Sequence, residues 1–329
     1  MRRRDFITLL GGAAASWSFA VLAQNSSKLR RIGFLAGGSR PALLESSVYA
    51  GFLRGMRELG YVEGKDFAME WRFAEGRYDL FSPLAAELVR IPVDVIVAGT
   101  PTAVKPVQQA TSTIPIVMGS STDPVASGFV ASLAHPGGNI TGLASSQEDI
   151  CLKQLGILKS LVPDLTRVAF ARNPDNQFHD EVLKILQRTA PKIGCVIEPV
   201  EMGKPEDIEN GFAKSSAEGV GAFLFSGDAF LFAQRQTIAA IALKFRLPTI
   251  FTRREYVEAG GLISYGDSLA DLWRRSAFYV DKILRGAKPA ELPIQQPNNF
   301  ITVINRKTAA ALGLSLPIQL LVLADEIIG

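Results

Sequence analysis

The sequence predicts an α/β protein made of two Rossmann-like lobes, each with a parallel-sheet core, joined by a hinge. Three observations carry this expectation. Short apolar runs such as 93–98 and 222–225 are bounded by turn residues, as in strands buried on both faces. These runs alternate with helical stretches, the order that builds a parallel sheet. The alternation pauses near Gly142 and restarts near Asp149, which gives two units rather than one.

Taken in order, 31–36 reads as a strand and Gly37-Gly38-Ser39 as the turn after it. A helix over 46–59 ends at Gly60, a residue suited to a left-handed cap. Strand 67–73, helix 78–90, strand 93–98, helix 103–110, strand 114–118 and helix 125–133 follow. The first lobe thus expects four strands before the linking stretch 137–142. The second begins with helix 149–161 and strand 168–172, which stops at Asn173-Pro174. Helix 180–192, strand 195–200, helix 205–216 and strand 222–225 come next, the last ending at Ser226-Gly227-Asp228. Helix 230–245, strand 248–251 and a strand over 260–266 complete that lobe. Helix 270–284, strand 300–305 and two terminal helices, 307–312 and 316–328, finish the chain. The expected division is 30–143 for lobe 1, 144–266 for lobe 2, 267–290 for a return to lobe 1, and 291–329 for a crossing back to lobe 2.

Residues 1–24 read as an export signal. Arg2, Arg3 and Arg4 precede a mainly apolar stretch over 9–22, and Val21 and Ala23 fit the −3 and −1 positions of a cleavage site after about Ala23. Arg3-Arg4-Asp5-Phe6-Ile7 resembles the twin-arginine signal. The apolar stretch is shorter than the ~20 residues that span a bilayer. The expected location is therefore the periplasm.

Composition narrows the function. Lys and Arg number 35 against 32 Asp and Glu, and the leader holds three of the former and one of the latter, so 32 − 31 leaves +1 on the exported part. Such a balance gives no electrostatic case for nucleic acid. Two His and two Cys do not make a zinc site, and no cofactor is expected. Cys151 and Cys195 stand 44 residues apart and read as two separately buried thiols, with a disulfide as the alternative.

Ligands of parallel α/β sheets bind beyond the carboxyl ends of the strands. Glycine and short polar residues gather at those ends: Gly37, Gly38 and Ser39; Gly99, Thr100 and Pro101; Ser120 and Ser121; Asn173; Asp228; and Tyr265. Glycine lets backbone N–H groups approach a ligand, and hydroxyls both donate and accept. Asp228 suits an ammonium, Thr100 a carboxylate, and Tyr265 a flat apolar wall. Each of the Ser, Thr, Asp and Asn residues has an equal claim as a helix cap, Asp123 before Pro124 reads as a helix start, and Asn173-Pro174-Asp175-Asn176 is a turn sequence. Catalytic patterns are missing: there is no phosphate-loop Lys-Ser/Thr pair, no dinucleotide fingerprint and no Gly-x-Ser-x-Gly elbow. His135 and His179 read as surface or capping residues. A carboxylate-dependent enzyme would need two acids facing one another in the cleft.

Several segments in order resemble the substrate-binding proteins of bacterial ABC uptake systems, and more narrowly their tryptophan/tyrosine type. They are Gly51-Phe52 with Leu59-Gly60-Tyr61-Val62-Glu63-Gly64-Lys65; Val93-Asp94-Val95-Ile96-Val97-Ala98-Gly99-Thr100-Pro101; Ile114-Pro115-Ile116-Val117; Asp123-Pro124-Val125; and His135-Pro136-Gly137-Gly138-Asn139-Ile140-Thr141-Gly142. Leu247-Pro248-Thr249, Glu255-Tyr256-Val257, Gly260-Gly261-Leu262, Ser264-Tyr265-Gly266 and Ala311-Leu312-Gly313-Leu314 continue the series. The resemblance implies a type I periplasmic binding-protein fold that traps a solute by hinged closure and presents it to a membrane permease without chemistry. It implies a first-lobe wall of Gly38, Ser39, Thr100, Pro101, Ser120 and Ser121, faced by Asn173, Asp228 and Tyr265. The expected partners are a small solute and an ABC permease, with no nucleic acid, the protein acting as a monomer. A periplasmic ligand sensor of the same fold is the alternative. The pocket loops show no Trp or Phe platform, which leaves the solute open between an amino acid and a small carboxylate.

Overall fold

The computed structural model describes residues 29–145, 147–296 and 300–329. The expected export signal and its cleavage site lie outside the described residues. Five parallel strands form the first sheet in the order β2-β1-β3-β4-β5: β1 Arg30–Ala36, β2 Phe67–Phe73, β3 Val95–Ala98, β4 Ile116–Thr122 and β5 Ile140–Ser145. The crossovers carry α1 (Ala50–Glu58), α2 (Phe81–Arg90) and α3 (Pro101–Ala110). Alternation along the buried strands sends Leu35, Ile96 and Met118 to the face covered by α2 and α3, and Phe34, Val95 and Val97 to the face covered by α1.

The second lobe runs α4 (Gln147–Leu161), β6 (Arg167–Arg172), α5 (Phe178–Thr189), β7 (Val196–Glu201), α6 (Pro205–Ala217), β8 (Ala222–Phe225), α7 (Ala229–Ala233), α8 (Arg235–Lys244), β9 (Thr249–Phe251), α9 (Arg254–Glu258) and β10 (Ile263–Asp267). Helix α10 (Leu269–Leu284) then returns to the first lobe. It packs closely on α1 because Gly51 and Gly55 lack side chains: a Cβ at Gly51 would lie 2.1 Å from the Ala270 carbonyl oxygen, and one at Gly55 would lie 2.4 Å from that of Arg274. The chain ends with β11 (Phe300–Asn305), α11 (Arg306–Leu312), α12 (Ile318–Leu323) and β12 (Glu326–Ile328) in the second lobe. That sheet has the order β12-β11-β10-β9-β8-β6-β7, with β11 antiparallel to β10. The molecule is a bilobal α/β fold with parallel-sheet cores, of the type I periplasmic binding-protein kind.

Four expectations change. The stretch 125–133 forms no helix: Asp123, at φ 37°, accepts the Ala126 N–H at 2.9 Å, and Gly128, at φ 69°, turns the chain again. Phe129 and Val130 are buried from this turn, so the helix-like apolar spacing came from core anchors in a loop. The linking stretch instead supplies a fifth strand, β5. The helix expected over 230–245 breaks at Gln234 into α7 and α8. The one expected over 316–328 is the short α12 followed by β12. Cys151 and Cys195 are both buried, and no disulfide joins them.

Candidate functional site

Both sheets point the carboxyl ends of their parallel strands at one cleft, which encloses a cavity of about 100 Å³. Gly37 and Gly38 after β1, Thr100 and Pro101 at the start of α3, and Ser120 in β4 form the first-lobe wall. Asn176, Phe178 and His179 at the start of α5, Asp228 after β8, and Arg253 after β9 face them from the second lobe.

The floor is Trp273 of α10. Its indole lies across the ends of β3 and β4 because Gly99 and Gly119 leave room. A Cβ would sit 2.6 Å from Trp273 Cη2 at Gly99 and 2.5 Å from Cζ3 at Gly119. Phe34 and Tyr49 hold the ring from the side, at centroid distances of 4.7 and 6.0 Å. Burial pushes the Tyr49 hydroxyl up to about 12, so it stays protonated.

A buried polar cluster joins the lobes. The Asp228 carboxylate accepts from the Leu231 N–H at 2.7 Å, as the N-cap of α7, and from Asn176 Nδ2 at 3.0 Å. Asn173 Nδ2 reaches both carboxylate oxygens, at 3.2 and 3.3 Å. The fourth donor crosses the cleft: the Tyr78 hydroxyl of the first lobe donates to Asp228 at 2.6 Å. Burial and the neighbouring Asp228 charge push the Tyr78 hydroxyl well above its usual range, so it remains a donor. Beside this contact the lobes meet closely. A Cβ on Gly37 would stand 2.9 Å from the Ala229 Cβ, and one on Gly76 would stand 3.2 Å from the Phe230 Cα.

His179 is a buried member of the same cluster rather than a surface or capping group. Its Nδ1 accepts the Asn173 N–H at 2.9 Å, while Nε2 faces the Gly227 carbonyl at 3.4 Å. This pairing fits the neutral ring with its proton on Nε2. Burial lowers the pKa, against the opposing pull of Asp228. His135 is exposed in its loop.

Of the residues singled out in the sequence, Gly38, Thr100, Pro101, Ser120 and Asp228 line the cavity. Ser39 lies further out, in a groove at the mouth. Ser121 is buried under the wall. Asn173 is also buried and acts on the site through Asp228. Tyr265 stands away from the cavity wall: its ring stacks on Phe300 at 5.6 Å and packs on the second-lobe core. Sequence reasoning missed Tyr49, Tyr78, Asn176, His179, Arg253 and Trp273. The paired glycines at 99 and 119 were the one signal for Trp273, and alone they do not distinguish a side chain from a ligand. Asp228 is the only Asp or Glu lining the cavity among the described residues, so no carboxylate pair faces itself there. No group of three or more His, Cys, Asp or Glu arranged to hold a metal occurs among them either.

Two α/β lobes closing on a cavity at their strand ends define a bilobal solute-binding protein. The model of the ABC transporter substrate binding protein family matches residues 33–328, and the chain belongs to that family. It is a non-catalytic, extracytoplasmic component that captures a small polar ligand and works with a membrane permease. The chain is 25% identical over 291 residues to a tyrosine-binding protein of Clostridioides difficile, covering 88% of this chain and 83% of that one. A domain from Streptococcus pneumonia solved with L-Trp superposes with a TM-score of 0.83 at 24% identity, over 92% of this chain and all of the other. A conserved domain protein from Vibrio cholerae gives 0.83 at 25% identity over 91% of this chain and all of the other. The ligand-free, open structure of a Clostridium difficile substrate binding protein gives 0.64 at 21% identity, over 91% of this chain and 99% of that one.

Proposed function

We propose that the chain captures its solute in the cavity between the lobes, closes over it through the Tyr78–Asp228 contact, and delivers it from the periplasm to the permease. The observation that carries this reading is a cavity walled from both lobes, with a buried hydrogen bond crossing beside it. Closure is favoured when contacts become available only once both lobes reach the solute. The basic start and apolar stretch of residues 1–24 support export to the periplasm. Trp273 and Tyr49 offer an apolar wall to a flat solute, so the aromatic amino acids named for the relatives belong in the first screen. The closed cavity is small: one of ~150 Å³ holds benzene. A solute as large as tryptophan needs the lobes further apart.

The test is a thermal-shift screen of the chain from Gln24 onward, which contains every described element. The panel comprises amino acids, aliphatic and aromatic carboxylates, sugars and purines. A ligand that binds only the native state at 100 times its Kd adds ~2.7 kcal/mol to stability. The expected result is a saturable rise with one class, lost in Trp273→Ala. No stabilisation by any member would count against capture in this cleft.

A further inference from the structure

Resting on cleft capture, we infer that the solute is a carboxylate without an α-ammonium group, its anion held by Arg253 and its body by Trp273. Arg253 is the only Lys or Arg lining the cavity among the described residues. Its guanidinium makes no hydrogen bond or ion pair with any of them. A planar fork of donors without an acceptor, on the wall of the cavity, matches a carboxylate. Trp273, on the floor, keeps a buried indole N–H with no acceptor among the described residues. The Arg253 guanidinium is thus a donor the cavity has to spare.

Its one carboxylate is already engaged. An amino acid also brings an ammonium, which needs an anionic partner once water is excluded. The only carboxylate on the wall is Asp228, and four donors fill its two oxygens: Tyr78 Oη, Asn176 Nδ2, Asn173 Nδ2 and the Leu231 N–H. Three of these come from its own lobe, so they persist whether the lobes are apart or together. The fourth is the closing contact, and an ammonium that displaced Tyr78 would undo the closure that should trap it. Asp267 at the hinge feels the charge of Arg253 but forms no ion pair with it, and although its Oδ1 has no hydrogen-bond partner among the described residues, it does not line the cavity. Burial pushes its carboxyl up, which further weakens it as a partner for an ammonium.

The experiment is calorimetric titration with matched pairs that differ in the α-ammonium: propionate and L-alanine, succinate and L-aspartate, 3-phenylpropionate and L-phenylalanine. The inference expects at least one acid to bind at least ~10-fold more tightly than its amino acid, since a buried unpaired ammonium is strongly penalised. Arg253→Gln should weaken that acid by ~30-fold or more, with Arg253→Lys in between and both variants melting within a degree or two of the parent. An amino acid that binds as tightly as its deaminated partner would overturn the inference. So would an acid whose affinity is untouched in Arg253→Gln. Silence of every pair while a sugar or purine binds would also overturn it and leave cleft capture standing. Silence of the whole panel would remove both.

Discussion

Trp273 makes the floor of the cleft because two residues opposite it have no side chain. At Gly119 a methyl group would stand 2.5 Å from Cζ3 of the indole, far inside contact distance, with strand backbone behind it. Gly119→Ala is therefore expected to lose ~1–3 kcal/mol, the usual range for an overpacked core, and to shift the Trp273 emission. Denaturant midpoints together with emission spectra check this, and an unchanged spectrum would mean that the ring is not held by the strand end. Strand ends rich in glycine and hydroxyls were legible from sequence, and so was the placement of Gly38, Thr100, Pro101, Ser120 and Asp228 near one another. The aromatic floor was not, because Trp273 sits in a helix 154 residues beyond Gly119 and only the tertiary fold brings them together. Arg253 was hidden for the same kind of reason, lying in the ordinary loop between β9 and α9.

The loop between β6 and α5 and the loop after β8 act as one element. Asn173 and Asn176 from the first, with His179 at the start of α5, surround Asp228 from the second, and the whole cluster is buried. His179 has to be neutral here, because protonating Nδ1 would cost it the Asn173 N–H bond. Its pKa in the fold is lowered mainly by burial from an ordinary value of 6.5. In acid the unfolded chain therefore takes up this proton before the folded one does. The contribution to stability is full above about pH 6.5 and is lost as the pH falls from there through the lowered folded value. Urea midpoints measured from pH 7.5 to 5.5 should decline below pH 6.5, and a flat or rising profile would contradict the buried neutral ring. At this scale the buried strands were the most legible part of the sequence, since four to seven apolar residues between turn residues admit few other readings. Stretch 125–133 misled because Phe129 and Val130 anchor a loop with helical spacing, and Gly128 was the residue that argued otherwise.

At the scale of the whole molecule, the fold places two strand-end surfaces face to face and leaves the hinge to set the gap between them. Tyr78 bonded to Asp228, and Gly37 and Gly76 packed against α7, mark the arrangement as closed. The lobed architecture was legible because the α/β alternation restarts, whereas these closing contacts were not, since each pairs residues 150 or more positions apart with no local pattern. The central claim is that the solute enters this gap, and the intrinsic fluorescence of Trp273 tests it most directly. The sequence has three tryptophans, Trp17, Trp71 and Trp273, so Trp71→Phe in the chain from Gln24 onward leaves the cleft indole alone. Titrating that variant with whichever solute stabilises the protein should change its emission saturably, with the same midpoint as the calorimetric titration. A solute that stabilises the protein while the Trp273 emission stays constant would bind elsewhere and contradict the account.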